Sequence, residues 1–259
     1  MLDLAIRNSA QTRLQITGND AVYQLISVTG LDPVQAALNM ANVYGADGSK
    51  FVSAKLNNRN VVIMARINGN VEANRQVLYR LFPPKEPVTL EISTGARSVT
   101  IAGYVEYIKC DIFDRSERAQ ISVICPDPLF RSAAQTSLTG SFTGASGAIE
   151  FDNTGDSPAY FDLQFTAADH TGFTLTAPSG EYITVTNSDA GMLWIPDYSA
   201  NGKNVFLTNN GTTVSVLENL SPRSVFFLLP KGQSQLALSV PGASGCSWAL
   251  SFYNCFEGV

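Results

Sequence analysis

The sequence predicts a mostly β protein built as two domains, and three observations carry that prediction. Short apolar runs alternate at a period of two along much of the 259 residues. Turn formers are dense, with 20 Gly and 12 Pro, which suits many short strands joined by tight turns. The charge pattern changes partway. Residues 1–130 carry 13 Lys/Arg against 12 Asp/Glu, whereas residues 131–259 carry 4 against 10. Surfaces so different fit separate domains, and about 130 residues let each bury a core without a disulfide or metal.

The elements of the first domain follow in order. Residues 2–8 and 12–17 form a short β-like start, and 23–28 reads as a strand. Taken alone, 31–42 has a helical pattern, with Asp32 as N-cap and Pro33 at the first helical position. A turn at 46–49 leads to strands over 51–56 and 60–67, joined at Asn57-Asn58. The spacing predicts a helix over 71–82, capped by Asn70 and ended by Pro83-Pro84. The period then returns to two over 88–92, 99–107 and 119–125. Pro126-Asp127-Pro128 cannot continue a central strand, so the first domain is expected to span 1–127.

Residues 128–147, rich in Ser, Thr, Ala and Gly, read as a linker and a polar edge strand. From 148 to 259 the strands recur regularly: 148–151, 160–166, 173–177, 182–186, 192–195, 205–208, 214–216, 225–229, 236–240 and 248–253. That series predicts a β-sandwich or jelly roll, with no helix evident.

Little in the chain suggests catalysis. His170 is the sole histidine, so a His-rich metal site is excluded, and its Asp-His-Thr-Gly context reads as a surface turn. Glu150 and Asp152 are two apart and share a strand face, a pairing common in β proteins and insufficient for two-carboxylate hydrolysis. No dinucleotide, phosphate-loop or zinc-protease motif is present. No catalytic residue, metal or cofactor is expected. Cys110 and Cys125 read as buried thiols, while Cys246 and Cys255 either pair across a hairpin or stay free. No basic run offers a duplex-binding face, although a near-neutral wall suits passage of nucleic acid. No apolar run nears the roughly 20 residues of a membrane span, and the first residues lack a signal-peptide pattern. Trp194 and Tyr198 are available as stacking platforms for sugar, which keeps a carbohydrate-binding module as the alternative reading.

Several motifs in register carry a resemblance. They are Val28-Thr-Gly-Leu, Asp47-Gly-Ser, Arg75-Gln-Val-Leu-Tyr-Arg-Leu-Phe-Pro-Pro-Lys-Glu-Pro-Val-Thr-Leu, Ile101-Ala-Gly-Tyr-Val-Glu-Tyr and Ala119-Gln-Ile-Ser-Val-Ile-Cys-Pro-Asp-Pro-Leu-Phe. In the second half stand Phe151-Asp-Asn-Thr-Gly-Asp-Ser-Pro-Ala and Asn219-Leu-Ser-Pro-Arg-Ser-Val-Phe-Phe-Leu-Leu-Pro-Lys-Gly. Together they resemble the siphophage distal tail (Dit) family of Gram-positive phages and prophages. Gln233 stands where that family usually has an asparagine.

The resemblance implies an N-terminal β-sandwich with a helix, six copies of which close into a ring. It also implies a peripheral, galectin-like or carbohydrate-module-like C-terminal sandwich. It places the protein in the virion, at the distal end of the tail, as a non-enzymatic baseplate hub. The implied partners are the tail tube protein, the tail-associated hub protein and, in some phages, receptor-binding proteins. Phage DNA passes through the channel without sequence-specific binding, and no membrane insertion is implied. The resemblance also offers an extended arm as the alternative to a helix over 31–42. Interface positions are expected at Asp32, Leu38 and Tyr44 on that segment. Others are Arg75, Arg80 and Lys85 at the helix, and Asp111, Asp114, Arg115, Glu117 and Arg118 in a mixed-sign loop.

Overall fold

The computed structural model describes residues 2–18, 21–45, 47–110, 117–167, 170–186 and 191–259. It comprises two compact units, Met1–Ala133 together with Phe256–Val259, and Ala134–Cys255.

Unit 1 begins with β1 (Asp3–Asn8), β2 (Arg13–Ile16) and β3 (Tyr23–Thr29). β4 (Ala36–Asn42) and β5 (Ser49–Leu56) follow, then β6 (Arg59–Ile67) and α1 (Val71–Leu81). It continues with β7 (Pro87–Ser93), β8 (Ser98–Cys110), β9 (Arg118–Cys125) and β10 (Phe130–Ser132). The main sheet runs β2-β1-β7-β8-β9-β6-β3, with β10 added against β8. Period-two alternation decides which face is buried. Along β6 the side chains of Arg59, Val61, Ile63, Ala65 and Ile67 are buried, and those between are more exposed. They join Leu4, Ile6, Leu90, Ile92, Val99, Ile121 and Val123 in one core. Each large apolar side chain so buried contributes about 1.5–3 kcal/mol.

The helix closes that core. Its expected cap is present: the Asn70 side chain accepts from the Ala73 amide at 3.1 Å. Leu78 and Phe82 are buried in the core cluster. Two polar contacts fix the helix to the strands. Tyr23 donates its hydroxyl to the Asn74 carbonyl at 2.9 Å, and Asn8 donates to the Leu81 carbonyl at 3.2 Å.

Unit 2 contains β11 (Thr136–Thr143), β12 (Ser146–Asn153), β13 (Phe161–Ala167), β14 (Gly172–Thr176) and β15 (Tyr182–Thr186). After these come β16 (Gly191–Ile195), α2 (Tyr198–Asn201), β17 (Phe206–Asn209), β18 (Thr212–Ser215), β19 (Gly232–Ser239) and β20 (Gly245–Phe252). One sheet runs β11-β20-β13-β16-β17-β18, the other β12-β19-β14-β15. Their inner faces interlock through aromatic pairs. Phe165 meets Phe173 edge-on at 4.9 Å between centroids, and Phe151 meets Phe252 at 6.3 Å. This is sandwich packing. The last strand, β21 (Cys255–Phe256), pairs with β10.

Several local expectations change. Residues 36–42 form a strand, so the segment is extended and not helical. The region expected as linker and edge strand holds β10, β11 and the start of β12. Residues 225–229 form no ladder strand. Leu229 makes a single bridge to Ala159, and Val225 donates its amide to the Tyr182 carbonyl. A one-turn helix, α2, appears where none was expected. His170 is buried and not on a surface turn. All four cysteines are free.

Candidate assembly interface

The β4–β5 hairpin stands apart from every other strand pair. It is a sheet of two strands with no third partner among the described residues. Every residue of β5 is exposed, and so is all of β4 but its first residue. Yet the hairpin and its tip carry seven exposed large apolar side chains: Leu38, Met40, Val43, Tyr44, Phe51, Val52 and Leu56. Leu38 is 62% exposed, Phe51 56% and Tyr44 fully so. A two-stranded hairpin is marginal in water by itself, and clustered apolar exposure marks a surface meant for a partner. A register shift between Asn39 and Met40, which brings Met40 opposite Phe51, adds local twist.

The root of the hairpin is held by one side chain. Arg59 begins β6, only 1% exposed. Its guanidinium donates to the carbonyls of Gly30 (2.6 Å), Asp32 (2.7 Å), Pro128 (2.7 Å) and Glu257 (2.7 Å). It also lies over the Phe130 ring, 4.2 Å from the centroid. Burial pulls its pKa down, against the opposing pull of Cys125 and Asp32. The planar fork of an arginine can bridge four carbonyls in this way, which a lysine cannot. Gly30 is required beside it. It has φ +85°, and a Cβ there would lie 2.0 Å from the Asn60 carbonyl oxygen.

The 256–259 segment completes the root. Val259 donates its amide to the Leu31 carbonyl at 3.2 Å. Arg97 donates to the Gly258 carbonyl at 3.1 Å and stacks over Phe256 at 4.5 Å.

The expected interface positions separate into groups. Asp32 is exposed at the hairpin root, Leu38 lies on β4 and Tyr44 at the tip. Arg75 is half-buried on α1 and paired with Glu72, whereas Arg80 and Lys85 are exposed at the helix end. Glu117 and Arg118 are exposed at the start of β9. Asp111, Asp114 and Arg115 lie outside the described residues. The hairpin therefore gathers Leu38 and Tyr44 with apolar neighbours that went unremarked in the sequence, while the helix positions stand elsewhere in the unit.

In unit 2, Trp194 and Tyr198 are half-buried and engaged. Trp194 donates its indole N–H to Asp162 at 2.6 Å and stacks on Phe206 at 5.3 Å. Burial raises the Asp162 carboxyl despite that hydrogen bond. Tyr198 packs edge-on against Tyr160 and Phe226, and burial pushes its hydroxyl up to about 12. Asn153 plays in this unit the part Arg59 plays in the other. Buried, it donates to the carbonyls of Ser157, Leu229 and Pro230 and accepts the Gly155 amide. Among the described residues no cluster of His, Cys, Asp and Glu is fit to hold a metal, and no helix is long and apolar enough to cross a membrane.

The arrangement of two β units is shared with solved proteins of phage tails. More particularly, it matches the crystal structure of SPP1 Dit (gp 19.1), described as a paradigm of the hub adsorption apparatus in phages infecting Gram-positive bacteria. The TM-score is 0.70 at 16% identity, over 98% of this chain and 99% of that one. A chain of the phage P2 baseplate in its activated conformation with calcium matches at TM-score 0.51 and 10% identity, over 97% and 98% of the two chains. No family model matches the sequence, and no curated protein matches it.

Proposed function

We propose that this chain is a structural distal tail protein. It forms a ring at the end of a phage tail, joins the tail tube to the tail-associated adsorption apparatus, and leaves a channel for DNA. The observation that carries this reading is the β4–β5 hairpin, an exposed apolar arm whose root is hydrogen-bonded to Arg59. An arm that reaches from one subunit onto a different surface of the next makes a heterologous contact, and such contacts close into rings when the rotation permits. The likeness in fold to SPP1 Dit over nearly the whole chain supports the same reading. The expected number of copies is six.

The carbohydrate-module alternative draws little from the two aromatics that suggested it, since the Trp194 N–H and stacking face are already used within unit 2.

Multi-angle light scattering tests the proposal. The wild-type chain alone should give a mass near six times 27.8 kDa, and co-expressed with its tail-associated partner it should give that mass plus the mass of the bound partner. The double variant Leu38→Asp, Phe51→Asp should fall to monomer with unchanged circular dichroism. A wild-type monomer under both conditions that binds host wall polysaccharide would sink the ring in favour of the alternative.

A further inference from the structure

Unit 2 holds a cleft that its sandwich core does not explain. Its volume is about 950 Å³, and residues of β12, β19 and the end of β14 line it. Glu150 and Asp152 project outward from β12, alternating with the buried Ile149, Phe151 and Asn153. Opposite them on β19 stand Gln235, in register with Glu150, and Gln233, in register with Asp152. All four side chains are exposed, and none makes a side-chain hydrogen bond within the described residues.

The backbone beside them is open as well. β12 pairs with β19 along its whole length, but on the other side β14 covers only Ala237, Leu238 and Ser239. The ladder stops there for a chemical reason. The Ala177 amide turns away from β19, to the Glu181 carbonyl at 2.8 Å. Successive strand amides point to opposite sides, so the next one to face β19 belongs to position 178. That residue is Pro178, which has no N–H to give. β14 peels off, and residues 232–236 of β19 keep one edge without a strand partner among the described residues. By the same alternation, the amides of Gln233 and Gln235 face that open side.

We infer that this edge receives an extended segment of a partner protein by strand addition, with basic side chains at alternate positions. Open sheet edges are recognised through main-chain hydrogen bonds, while alternate side chains supply specificity. Five residues of strand give about 17 Å of pairing. Side chains on the cleft face of an added strand would meet Gln233 and Gln235 first. Glu150 and Asp152 lie one strand further, about 5 Å on, within reach of a lysine or arginine but not of a short side chain. Charge also selects the partner. Residues 134–255 contain three Lys/Arg against nine Asp/Glu, a net −6, which repels a second copy of the same unit and attracts a basic segment. This site concerns unit 2 alone and does not rest on ring formation.

Fluorescence anisotropy with the full chain and a labelled ten-residue peptide of alternating lysine and threonine tests the inference. The peptide should bind and weaken with salt. The same peptide N-methylated at every residue keeps its charge but has no amide N–H on either edge, so it cannot pair as a strand and should bind at least tenfold more weakly. Glu150→Lys with Asp152→Lys, both at exposed positions, should cost at least tenfold again with the melting temperature retained. Absence of binding overturns the proposal. Equal affinity for the N-methylated peptide overturns strand addition, and unchanged affinity in the charge-reversed variant overturns the acidic recognition. Displacement of the peptide by neutral wall polysaccharide, with the N-methylated form binding equally, would make the cleft a sugar site.

Discussion

Replacing Arg59 by methionine tests the physical account of the arm most directly. The side chain keeps similar length and apolar stem but loses every donor. Four hydrogen bonds of 2.6–2.7 Å disappear, each of the charged kind that contributes about 1.5–3 kcal/mol. Taken at face value they sum to roughly 6–12 kcal/mol. Against this stands the burial of the guanidinium itself, which costs several kcal/mol in a site only 1% exposed. The net loss expected for Arg59→Met is therefore about 3–5 kcal/mol. Urea unfolding followed by tryptophan-independent far-UV circular dichroism reads it as a fall in midpoint of at least 1 M, given slopes of about 1–3 kcal/mol/M. Arg59→Lys should recover only part of the loss. Hydrogen exchange supplies the local readout. The Val259 amide, bonded to the Leu31 carbonyl, should lose protection even where the main sheet keeps its own. A loss below 1 kcal/mol, or a Val259 amide that exchanges as in the wild type, would refute the view that this guanidinium holds the arm root together.

Further outcomes follow from the same structure. Gly30→Ala forces a Cβ against the Asn60 carbonyl at a positive φ, so it should destabilise unit 1 by more than 1 kcal/mol and reduce assembly in the light-scattering assay. Glu91 accepts from both Arg7 and Arg13. Burial raises its carboxyl, but those bonds outweigh it and hold it below its usual 4.5. Its contribution is thus present above that value and lost as pH falls through the lower folded pKa. Glu91→Gln should flatten the acid limb of the stability profile while leaving the neutral-to-alkaline limb parallel. Burial pushes the Cys125 thiol up to about 12 and Cys246 up to about 11, so neither should react with iodoacetamide at pH 8 in the folded protein. Under unreduced denaturing conditions all four cysteines should titrate; a count of two would mean a Cys246–Cys255 disulfide.

What the sequence could and could not reveal divides along a physical line. Alternation is a local property, so β6, β7 and β9 could be read from their own residues, and so could α1 with its Asn70 cap. Residues 36–42 could not. Ala-Ala-Leu-Asn-Met-Ala-Asn prefers helix in isolation, and it becomes a strand because 49–56 pairs with it across seven registered positions. Intrinsic propensity yields to pairing. His170 failed for a related reason: its neighbours in sequence look like a turn, and only the fold buries it. Arg59 is the sharpest case. A charged residue at the start of a strand normally reads as solvated. Its burial depends on carbonyls from Gly30 and Asp32, from Pro128, and from Glu257. A backbone carbonyl carries no residue signature, so no inspection of side-chain types could have found the site. The motifs that supported the family resemblance now gain a mechanism. Val28-Thr-Gly and Pro126-Asp-Pro-Leu-Phe converge on Arg59. Asp152-Asn-Thr-Gly and Leu229-Pro converge on Asn153. Each pair lies far apart in the chain, and each marks a place where one buried polar side chain ties loops whose backbone would otherwise go unsatisfied.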